Sequence, residues 1–275
     1  PVSIKPFIIK EIENQTKKLA LALKVKGFMN IQFAIKKDEI YVIEVNPRAS
    51  RTVPFVAKSR GIPIAKIAAK IMTGDCLEDV LEPIAIKDLQ TFNVKESVFP
   101  FNKFEGVDLV LGPEMKSTGE VMGIDSTFLS AFAKSQIACG TILPSKGRVF
   151  ISIDDDNKKF ILAIANKLLN LNFSIVATKG TSKFLNNNNL TVETINKVKE
   201  GGPHIVDAII ENQINLVINT TKTQGSIRDS YSIRRTSLTF NVPYYTTIAG
   251  AKVAVDTIEH LKNNNLKVRS LQDLT

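Results

Sequence analysis

The 275-residue sequence contains no tryptophan, only two cysteines and only two histidines. Cys76 and Cys139 lie far apart and lack the close spacing of metal-binding pairs. This scarcity argues against a disulfide framework or a zinc site and favours free thiols in a reducing compartment. No apolar stretch is long enough to cross a bilayer, and no signal-peptide pattern is present. We therefore expect a cytoplasmic protein with no membrane partner.

The sequence is basic, with a formal net charge of +9 at pH 7. Residues 142–275 hold 17 basic and 11 acidic residues, so two thirds of the excess lies there. Nucleic-acid binding is one interpretation of this charge. The basic residues are scattered, however, and no recognition-helix or RNA-binding motif is present. A pocket for a small phosphorylated ligand explains the charge with fewer assumptions, so no nucleic-acid partner is expected.

The length of the chain fits two domains better than one. From about residue 144, predicted strands alternate with predicted helices, which indicates an α/β fold with a parallel sheet covered on both faces. Gly147 and the break around Ser145 favour a boundary that divides the chain into residues 1–141 and 142–275. The chain begins at Pro1 on an amphipathic segment, and we expect it to be a fragment of a longer protein.

Residues 28–51 predict a β-hairpin, because two apolar, β-branched arms flank a short charged turn. With Asp38 at the middle of the turn, Gln32 faces Glu44 across the ladder. Since side chains alternate along a strand, Asn46 shares the face of Glu44. One carboxylate and two amides form an oxygen donor set that Mg²⁺ prefers. This face is therefore a candidate metal site.

Two further features of the hairpin bear on its chemistry. The strand around Glu44 is otherwise apolar, so we expect Glu44 to be half-buried and to need a cationic partner. Arg48 and Arg51 follow the strand and precede a helix that starts near Thr52. Their guanidinium groups and the helix-terminal N–H groups could converge on phosphate, although a pair of solvated arginines is the simpler alternative.

Small hydroxyl residues follow two of the predicted parallel strands. One strand is followed by residues 178–181, Thr-Lys-Gly-Thr, and another by residues 219–222, Asn-Thr-Thr-Lys. Ligands bind at the carboxyl ends of parallel strands, and such loops have the chemistry of a phosphate cradle. Lys158 and Lys197 could supply positive charge from neighbouring segments. One such loop is a weak signal, whereas two at equivalent edges are moderate support for an anion site.

Four stretches carry a resemblance to a known family. They are the run from Ile43 to Val56 (Ile-Glu-Val-Asn-Pro-Arg-Ala-Ser-Arg-Thr-Val-Pro-Phe-Val), Asn102-Lys103-Phe104, the segment from Gly112 to Gly123, and Asn219-Thr220-Thr221. Together they resemble the large chain of carbamoyl phosphate synthetase, from the end of its second ATP-grasp unit through its methylglyoxal-synthase-like allosteric domain. The resemblance covers essentially the whole sequence.

The resemblance implies a ligase that uses ATP with Mg²⁺ or Mn²⁺. Its complete form makes carbamoyl phosphate from bicarbonate, glutamine-derived ammonia and two ATP, for arginine and pyrimidine biosynthesis. A small glutamine amidotransferase chain would be its partner in an oligomer. In this sequence Gln32 and Glu44 would hold ATP with the metal, Asn46 would complete the metal ligands, and Arg48 would be catalytic in carbamate phosphorylation. A lysine, a glycine-rich loop and an adenine pocket would lie upstream of Pro1, so the fragment alone is expected to be inactive.

The resemblance also implies two effector sites. A nucleotide such as UMP or IMP would bind at Lys158, Thr178, Gly180, Thr181, Lys197, Asn219 and Thr221. Ornithine would bind at Glu96, Tyr244 and Thr246. The sequence departs from the family pattern at Tyr245, where an aspartate is expected, which leaves open whether ornithine is sensed. Arg234 and Arg235 are interpreted as a solvated helix face.

Two alternatives stay open. Residues 142–275 could be a stand-alone nucleotide-binding module, with the rest as a broken remnant. An independent lyase of the methylglyoxal synthase type would need a carboxylate base beside the phosphate. Asp207 and Asp229 are the nearby candidates, but their positions favour a helix residue and a helix N-terminal residue.

Overall fold

The computed structural model describes residues 3–81, 91–99, 119–221, 225, 228 and 230–273. The chain forms two compact units, residues 1–90 with 269–275 and residues 91–268. An antiparallel hairpin in the first unit and a five-stranded parallel sheet in the second confirm the predicted α/β class. The domain boundary at 141/142 stays a prediction, because compactness groups residues 91–141 with the parallel sheet.

The described part of the first unit contains one β-hairpin and four helices. Its described elements are α1 (Pro6–Ala22), β1 (Asn30–Lys36), β2 (Glu39–Asn46), α2 (Thr52–Arg60), α3 (Ile64–Thr73) and α4 (Leu77–Leu81). Ile67 and Ala68 are the buried residues of α3. Gly74, with φ of 116°, ends this helix, because glycine adopts a left-handed conformation without a Cβ clash.

The hairpin has the predicted pairing of Gln32 with Glu44, but its turn differs from the predicted one. The turn is not centred on Asp38 but consists of residues 37–38, whose positive φ angles match the twist of the strands. A regular ladder from that turn would place Gln32 opposite Ile43. A β-bulge beside Gln32 shifts the pairing by one residue, so that Gln32 pairs with Glu44. The pairing prediction is confirmed, although the bulge produces it.

The second unit joins a two-stranded antiparallel sheet to the parallel sheet. Its described elements are β3 (Phe92–Val98), β4 (Gly119–Asp125), α5 (Phe128–Ala138), β5 (Gly147–Ser152), α6 (Lys158–Asn170), β6 (Phe173–Thr178), α7 (Lys179–Asn187), β7 (Glu193–Ile195), α8 (Ile205–Ile210), β8 (Leu216–Asn219), α9 (Tyr231–Thr239), β9 (Tyr244–Tyr245) and α10 (Ile248–Asn263). The parallel sheet has the order β7-β6-β5-β8-β9. Chain connections leave β5 in both directions, which makes the β5–β8 border a topological switch point.

The core of the second unit lies on both faces of the parallel sheet. Val149, Ile151 and Ile218 belong to one buried cluster, which includes residues of α6 and α10. Phe150 and Val217 belong to the other, which includes residues of α8 and α9. Alternate residues of a strand point to opposite faces, so both faces of these strands are apolar. This burial gives the strand ends fixed positions.

Helix α5 packs directly on the β3–β4 sheet at Gly123. A Cβ atom at this position would lie 1.9 Å from the carbonyl oxygen of Ala131. Only glycine therefore permits this close approach of strand and helix. The side chain of Thr127 caps α5 by accepting a hydrogen bond from Ser130 N.

Two other predictions need correction. Residues 178–181 do not form a free loop, because α7 starts at Lys179 and Thr178 is its N-cap. Arg234 is not solvated, since only 1 % of its surface is exposed. Its neighbour Arg235 is half-buried. Within the described ranges, no helix combines the length and apolar character needed to cross a membrane.

Candidate functional site

Three polar side chains converge on one face of the β1–β2 hairpin. Gln32 Nε2 donates a hydrogen bond of 2.6 Å to Glu44 Oε1. Asn46 Nδ2 donates one of 2.9 Å to the same oxygen. The sequence places these three residues on one face, and the structure agrees. We call this cluster the hairpin face.

Glu44 is exposed rather than half-buried, which corrects the sequence-based expectation. The expectation fails because the apolar neighbours of Glu44 in β2 are themselves exposed, Ile43 at 62 % and Val42 at 44 %. A hydrated carboxylate needs no cationic partner, and the two amides satisfy one of its oxygens. The case for a metal therefore rests on convergence and donor chemistry, not on burial.

The hairpin face fits a hard divalent cation held together with other ligands. Carboxylate and amide oxygens are ligands of Mg²⁺ and Mn²⁺. Both amides direct nitrogen toward Glu44, and rotation of each amide would present its oxygen instead. Within the described residues, no group of three His, Cys, Asp or Glu side chains could hold a metal ion. A cation here would have one carboxylate ligand and would need further oxygens, such as those of phosphate.

The two arginines that follow the hairpin face differ in position. Arg48 is exposed, and its Nη1 donates a 2.9 Å hydrogen bond to the carbonyl of Ala49. Arg51 is the N-cap residue of α2, which starts at Thr52 as expected. Among the described residues, the Arg48 guanidinium is held only by this contact to the next residue, so it can reorient.

A second polar cluster lies at the carboxyl edge of the parallel sheet. Ser152, Thr178 and Asn219 end the adjacent strands β5, β6 and β8 and, by alternation, share one sheet face. Thr178 Oγ1 donates to Ser152 Oγ at 3.2 Å. Thr181 lies in the first turn of α7, and its hydroxyl accepts a bond from Ile153 N at 3.1 Å. We call this cluster the strand-end cluster.

Asn219 is the polar residue of this cluster that best fits a ligand. Only 1 % of its surface is exposed, and its Nδ2 atom has no hydrogen-bond partner among the residues that the structure describes. A buried, unsatisfied amide donor is costly and is normally paired in proteins. An anion bound at the strand-end cluster would accept from it.

Lys158 and Gly180 lie beside each other at the same edge. An added Cβ at Gly180 would meet only Lys158 Nζ, at 3.9 Å, so the backbone of the first turn of α7 is open to an approaching group. Lys158 forms a 2.6 Å ion pair with the exposed Asp155. A helix N-terminus and an ammonium group together favour an anion.

Two more residues predicted to bind the nucleotide, Lys197 and Thr221, lie at this edge of the sheet. Neither has a contact with the strand-end cluster among those found in the described residues. Lys197 follows β7 and is exposed, and its backbone N–H donates to Glu200 Oε2 at 2.7 Å. Thr221 is half-buried and follows β8. Their participation in ligand binding stays a prediction.

Sequence reasoning missed the residues that join β5 to β8 at the switch point. Thr220 Oγ1 donates to Asp154 Oδ2 at 2.6 Å and accepts from Asp154 N at 3.2 Å. Burial alone would raise the pKa of Asp154, but hydrogen bonds from Thr220 and Asn157 outweigh it and lower the pKa. The signal was a run of three aspartates after a strand, Asp154 to Asp156, and nothing in the sequence distinguishes Asp154 from its two neighbours.

Glu96 belongs to a third polar cluster, on the β3–β4 sheet. Gln136 Nε2 of α5 donates to Glu96 Oε2 at 3.1 Å. Tyr245 Oη of β9 donates to Gln136 Oε1 at 3.0 Å. Tyr244 packs against the apolar cluster of Phe150 on one sheet face, whereas Tyr245 packs against the cluster on the other. The structure thus links Glu96 to Tyr245.

The remaining predicted residues are Thr246, proposed for ornithine, and the two candidate bases Asp207 and Asp229. Thr246 is exposed and follows β9, and its role with Tyr244 stays a prediction. Asp207 lies in α8 as expected, where its carboxylate accepts a 2.8 Å bond from the N–H of His204. It caps a helix, which gives the lyase alternative no support. Asp229 lies outside the described residues.

Two protein families match separate parts of this chain. Residues 4–80 match the family described as carbamoyl-phosphate synthase L chain, ATP binding domain. Residues 160–246 match the family described as MGS-like domain. The hairpin face lies inside the first match, and most of the strand-end cluster lies inside the second.

Curated relatives carry a consistent name. The chain is 52% identical over 275 residues to the carbamoyl phosphate synthase large chain of Brucella suis, covering 98% of this chain and 24% of that one. It is 49% identical over 276 residues to that of Myxococcus xanthus, covering 99% and 25%. It is 45% identical over 294 residues to the carbamoyl phosphate synthase large chain, C-terminal section, of Aquifex aeolicus, covering 100% and 55%.

The resemblance to the carbamoyl phosphate synthase large chain is therefore confirmed. The chain spans about a quarter of the length of the full large chains that it matches. The identity runs through the ATP-binding segment and the MGS-like segment alike.

Proposed function

We propose that this chain is part of an ATP-dependent ligase that forms carbamoyl phosphate. It would contribute part of a carbamate-phosphorylating site and an effector domain. The observation that carries the proposal is identity of about one residue in two across both segments, in a chain whose first unit has a convergent hairpin face and whose second has a buried amide donor at its strand ends.

The hairpin face would hold Mg²⁺ or Mn²⁺ through Gln32, Glu44 and Asn46. A cation held there would supply positive charge that offsets the negative charge developing on phosphate oxygens during phosphoryl transfer. The exposed Arg48 would place its guanidinium against the transferring phosphoryl group, since a planar fork of N–H donors matches phosphate oxygens. None of these residues needs to act as a general base for this reaction.

The strand-end cluster would bind a nucleoside monophosphate such as UMP or IMP. Its phosphate would accept hydrogen bonds from the open turn at Gly180, from Thr178 and Thr181, and from Asn219. Lys158 would supply charge, with Lys197 and Thr221 at the border. Ornithine would bind near Glu96, Tyr244 and Thr246. A small glutamine amidotransferase chain, an oligomeric assembly and a place in arginine and pyrimidine biosynthesis follow from the same family proposal.

The fragment alone should not synthesise carbamoyl phosphate, because ATP-grasp chemistry also needs a lysine and a glycine-rich loop. We expect no ATP-dependent product from the purified 275-residue chain supplied with bicarbonate and ammonia. Product formed at a rate dependent on Glu44 would contradict this expectation.

The metal proposal is tested by Mn²⁺ binding in the presence of ATP, followed by electron paramagnetic resonance. Glu44→Ala should lose binding, because a cation with only amide ligands is held weakly. Glu39→Ala, which removes an exposed carboxylate from the same strand, is the matched control. Equal Mn²⁺ binding by both variants would overturn the assignment of Glu44.

The nucleotide proposal is tested by calorimetry with UMP and IMP at low salt, since screening weakens lysine–phosphate attraction. Lys158→Met should weaken binding roughly tenfold to a hundredfold, the cost of a hydrogen bond to a charged group. Lys159→Met is the control, because Lys159 lies over the exposed ring of Phe160. Absence of heat with both nucleotides would contradict the proposal.

A further inference from the structure

A hydrogen-bonded chain joins three elements of the second unit. Tyr245 of β9 contacts Gln136 of α5, and Gln136 contacts Glu96 of β3. Gln136 is 5% exposed, and the Tyr245 ring is half-buried against the core of the parallel sheet. The sequence gives no hint of this contact, since the three residues are separated by 40 and 109 positions.

The chemistry of the three side chains fixes which group donates and which accepts in each of these two hydrogen bonds. An ionised carboxylate only accepts hydrogen bonds, so Gln136 must turn its NH₂ group toward Glu96. Its carbonyl oxygen then faces Tyr245 and can only accept, so the phenol must donate. Burial, followed by the negative charge of Glu96 and of Cys139, raises the pKa of Tyr245 far above its usual value, which keeps the phenol protonated. Tyr245 therefore holds the amide in the one orientation that serves Glu96.

Glu96 forms no ion pair within the described part of the chain. Lys95, its neighbour on β3, pairs with Glu120 at 3.2 Å. Lys134 of α5 pairs with Asp125 at 2.7 Å. Burial raises the pKa of Glu96, and the bond from Gln136 partly opposes that rise. A half-buried carboxylate with one neutral donor is poised to accept a positively charged group.

We propose that Tyr245 is a positioning residue that acts through the Gln136 amide to orient and stabilise the Glu96 carboxylate for a primary ammonium ligand. This inference rests on the proposed effector function and adds two residues to it. Tyr245 is the position that departs from the family pattern, and here its phenol is tied to the same site. The ligand class is an amine whose ammonium group reaches Glu96, with ornithine as the probe.

The experiment compares Tyr245→Phe with the unaltered chain. Calorimetry with ornithine should show affinity weakened about threefold to tenfold, the effect of one buried hydrogen bond. Norvaline, which lacks the side-chain ammonium, should bind neither protein. Affinity for UMP should be unchanged. Tyr41→Phe, which removes an exposed phenol from the hairpin of the other unit, should leave ornithine affinity intact.

Action through Gln136 is tested by a double-mutant cycle. Gln136→Met removes both hydrogen bonds at similar volume, and Tyr245→Phe should have no further effect on ornithine affinity in that background. Additive losses in affinity would overturn the positioning role.

A ligand-independent readout separates this inference from the effector proposal. In ¹³C NMR titration, the pKa of Glu96 should rise in Tyr245→Phe, because the amide is free to turn its nitrogen away. A merely destabilised protein would not show this shift. An unchanged pKa of Glu96 overturns the positioning role, whereas failure of the unaltered chain to bind ornithine overturns only the ornithine proposal.

Discussion

The two polar clusters proposed as ligand sites, one for a metal ion and one for a phosphate, differ in how they are built. The hairpin face lies on a two-stranded sheet whose apolar neighbours are exposed, and Glu44 is in contact with solvent. The strand-end cluster lies on a five-stranded sheet whose central residues are fully buried, and Asn219 is 1% exposed. A hairpin cannot bury both its faces, whereas a parallel sheet between helices does so. Preorganisation is therefore intrinsic to the strand-end cluster only.

The comparison shows what orients the polar groups of each cluster. Polar groups at the strand-end cluster are oriented by packing, so an unsatisfied donor can be maintained there at a cost to stability. Polar groups on the hairpin face satisfy one another and rearrange when a ligand arrives. We expect the strand-end cluster to bind its ligand in this chain. The hairpin face should need additional ligands for the metal.

The largest expected effect is a loss of stability, which tests the difference in burial between the parallel sheet and the hairpin. Phe150→Ala should lower the free energy of unfolding of the second unit by about 3 to 5 kcal/mol, since it leaves a cavity in a filled sheet core. Val42→Ala on the hairpin, where the side chain is 44 % exposed, should cost less than about 0.5 kcal/mol. Urea denaturation measures both, and similar costs would break the comparison.

A second prediction concerns the unsatisfied donor. Asn219→Leu should raise the free energy of unfolding by about 1 kcal/mol without ligand, because it removes a buried amide that lacks a partner. It should also abolish binding of UMP. Asn215→Leu is the control, since Asn215 accepts a 2.9 Å bond from Arg148 N and its loss should destabilise. Destabilisation by Asn219→Leu would show that its amide is satisfied in the free protein.

The third prediction is a pH dependence that arises at Glu96. Burial raises its pKa above the ordinary value of 4.5. Stability from the neutral form is fully present below that value and is lost as pH rises through the folded pKa. Glu96→Gln should therefore gain stability over the unaltered chain as pH increases from about 4.5 toward neutrality.

Two controls sharpen that measurement. Asp125, Asp154 and Asp256 have lowered pKa values because hydrogen bonds to each carboxylate, joined by lysine contacts at Asp125 and Asp256, outweigh burial. Their stabilisation is lost as pH falls below about 3.8. This loss should be common to both proteins and should cancel in the difference. Glu39→Gln, which changes an exposed glutamate on the hairpin, is the matched control. A constant difference for Glu96→Gln across this range would refute the prediction.

The smallest effect is expected on the hairpin face. Glu44→Ala should change the free energy of unfolding of the first unit by less than about 0.5 kcal/mol, because exposed polar contacts contribute little. The same variant should lose Mn²⁺ binding with ATP. A large loss of stability would mean that Glu44 is structural and would weaken its assignment to the metal.

Residue patterns predicted the major elements and several close contacts. Alternation of strands and helices indicated the parallel sheet, and the two strands expected just before residues 178–181 and 219–222 are β6 and β8. The short strands β4 and β7 and the helix α7 were not predicted. The segment of α7 contains Gly180, Thr181 and two asparagines, which have low helix propensity, so packing of the buried Leu185 helps to decide its conformation.

Local pattern reasoning was weakest where burial depends on distant residues. Arg234 was expected in solvent and is buried, whereas Glu44 was expected to be half-buried and is exposed. A residue's neighbours in sequence do not reveal whether another element covers it. For the same reason the contact of Glu96 with Gln136 and Tyr245 could not be foreseen.

The sequence by itself determined the fold class and the residue types available at each strand end, because side-chain periodicity and turn chemistry act over a few residues. It also carried the resemblance to a known large chain. Only the tertiary structure decided which polar groups from distant segments meet and which of them are buried. The buried amide of Asn219 and the hydrogen bonds from Tyr245 to Glu96 depend on contacts between elements that are far apart along the chain. The pairing of Gln32 with Glu44 lies within one hairpin and was predictable, although the bulge that produces it was not.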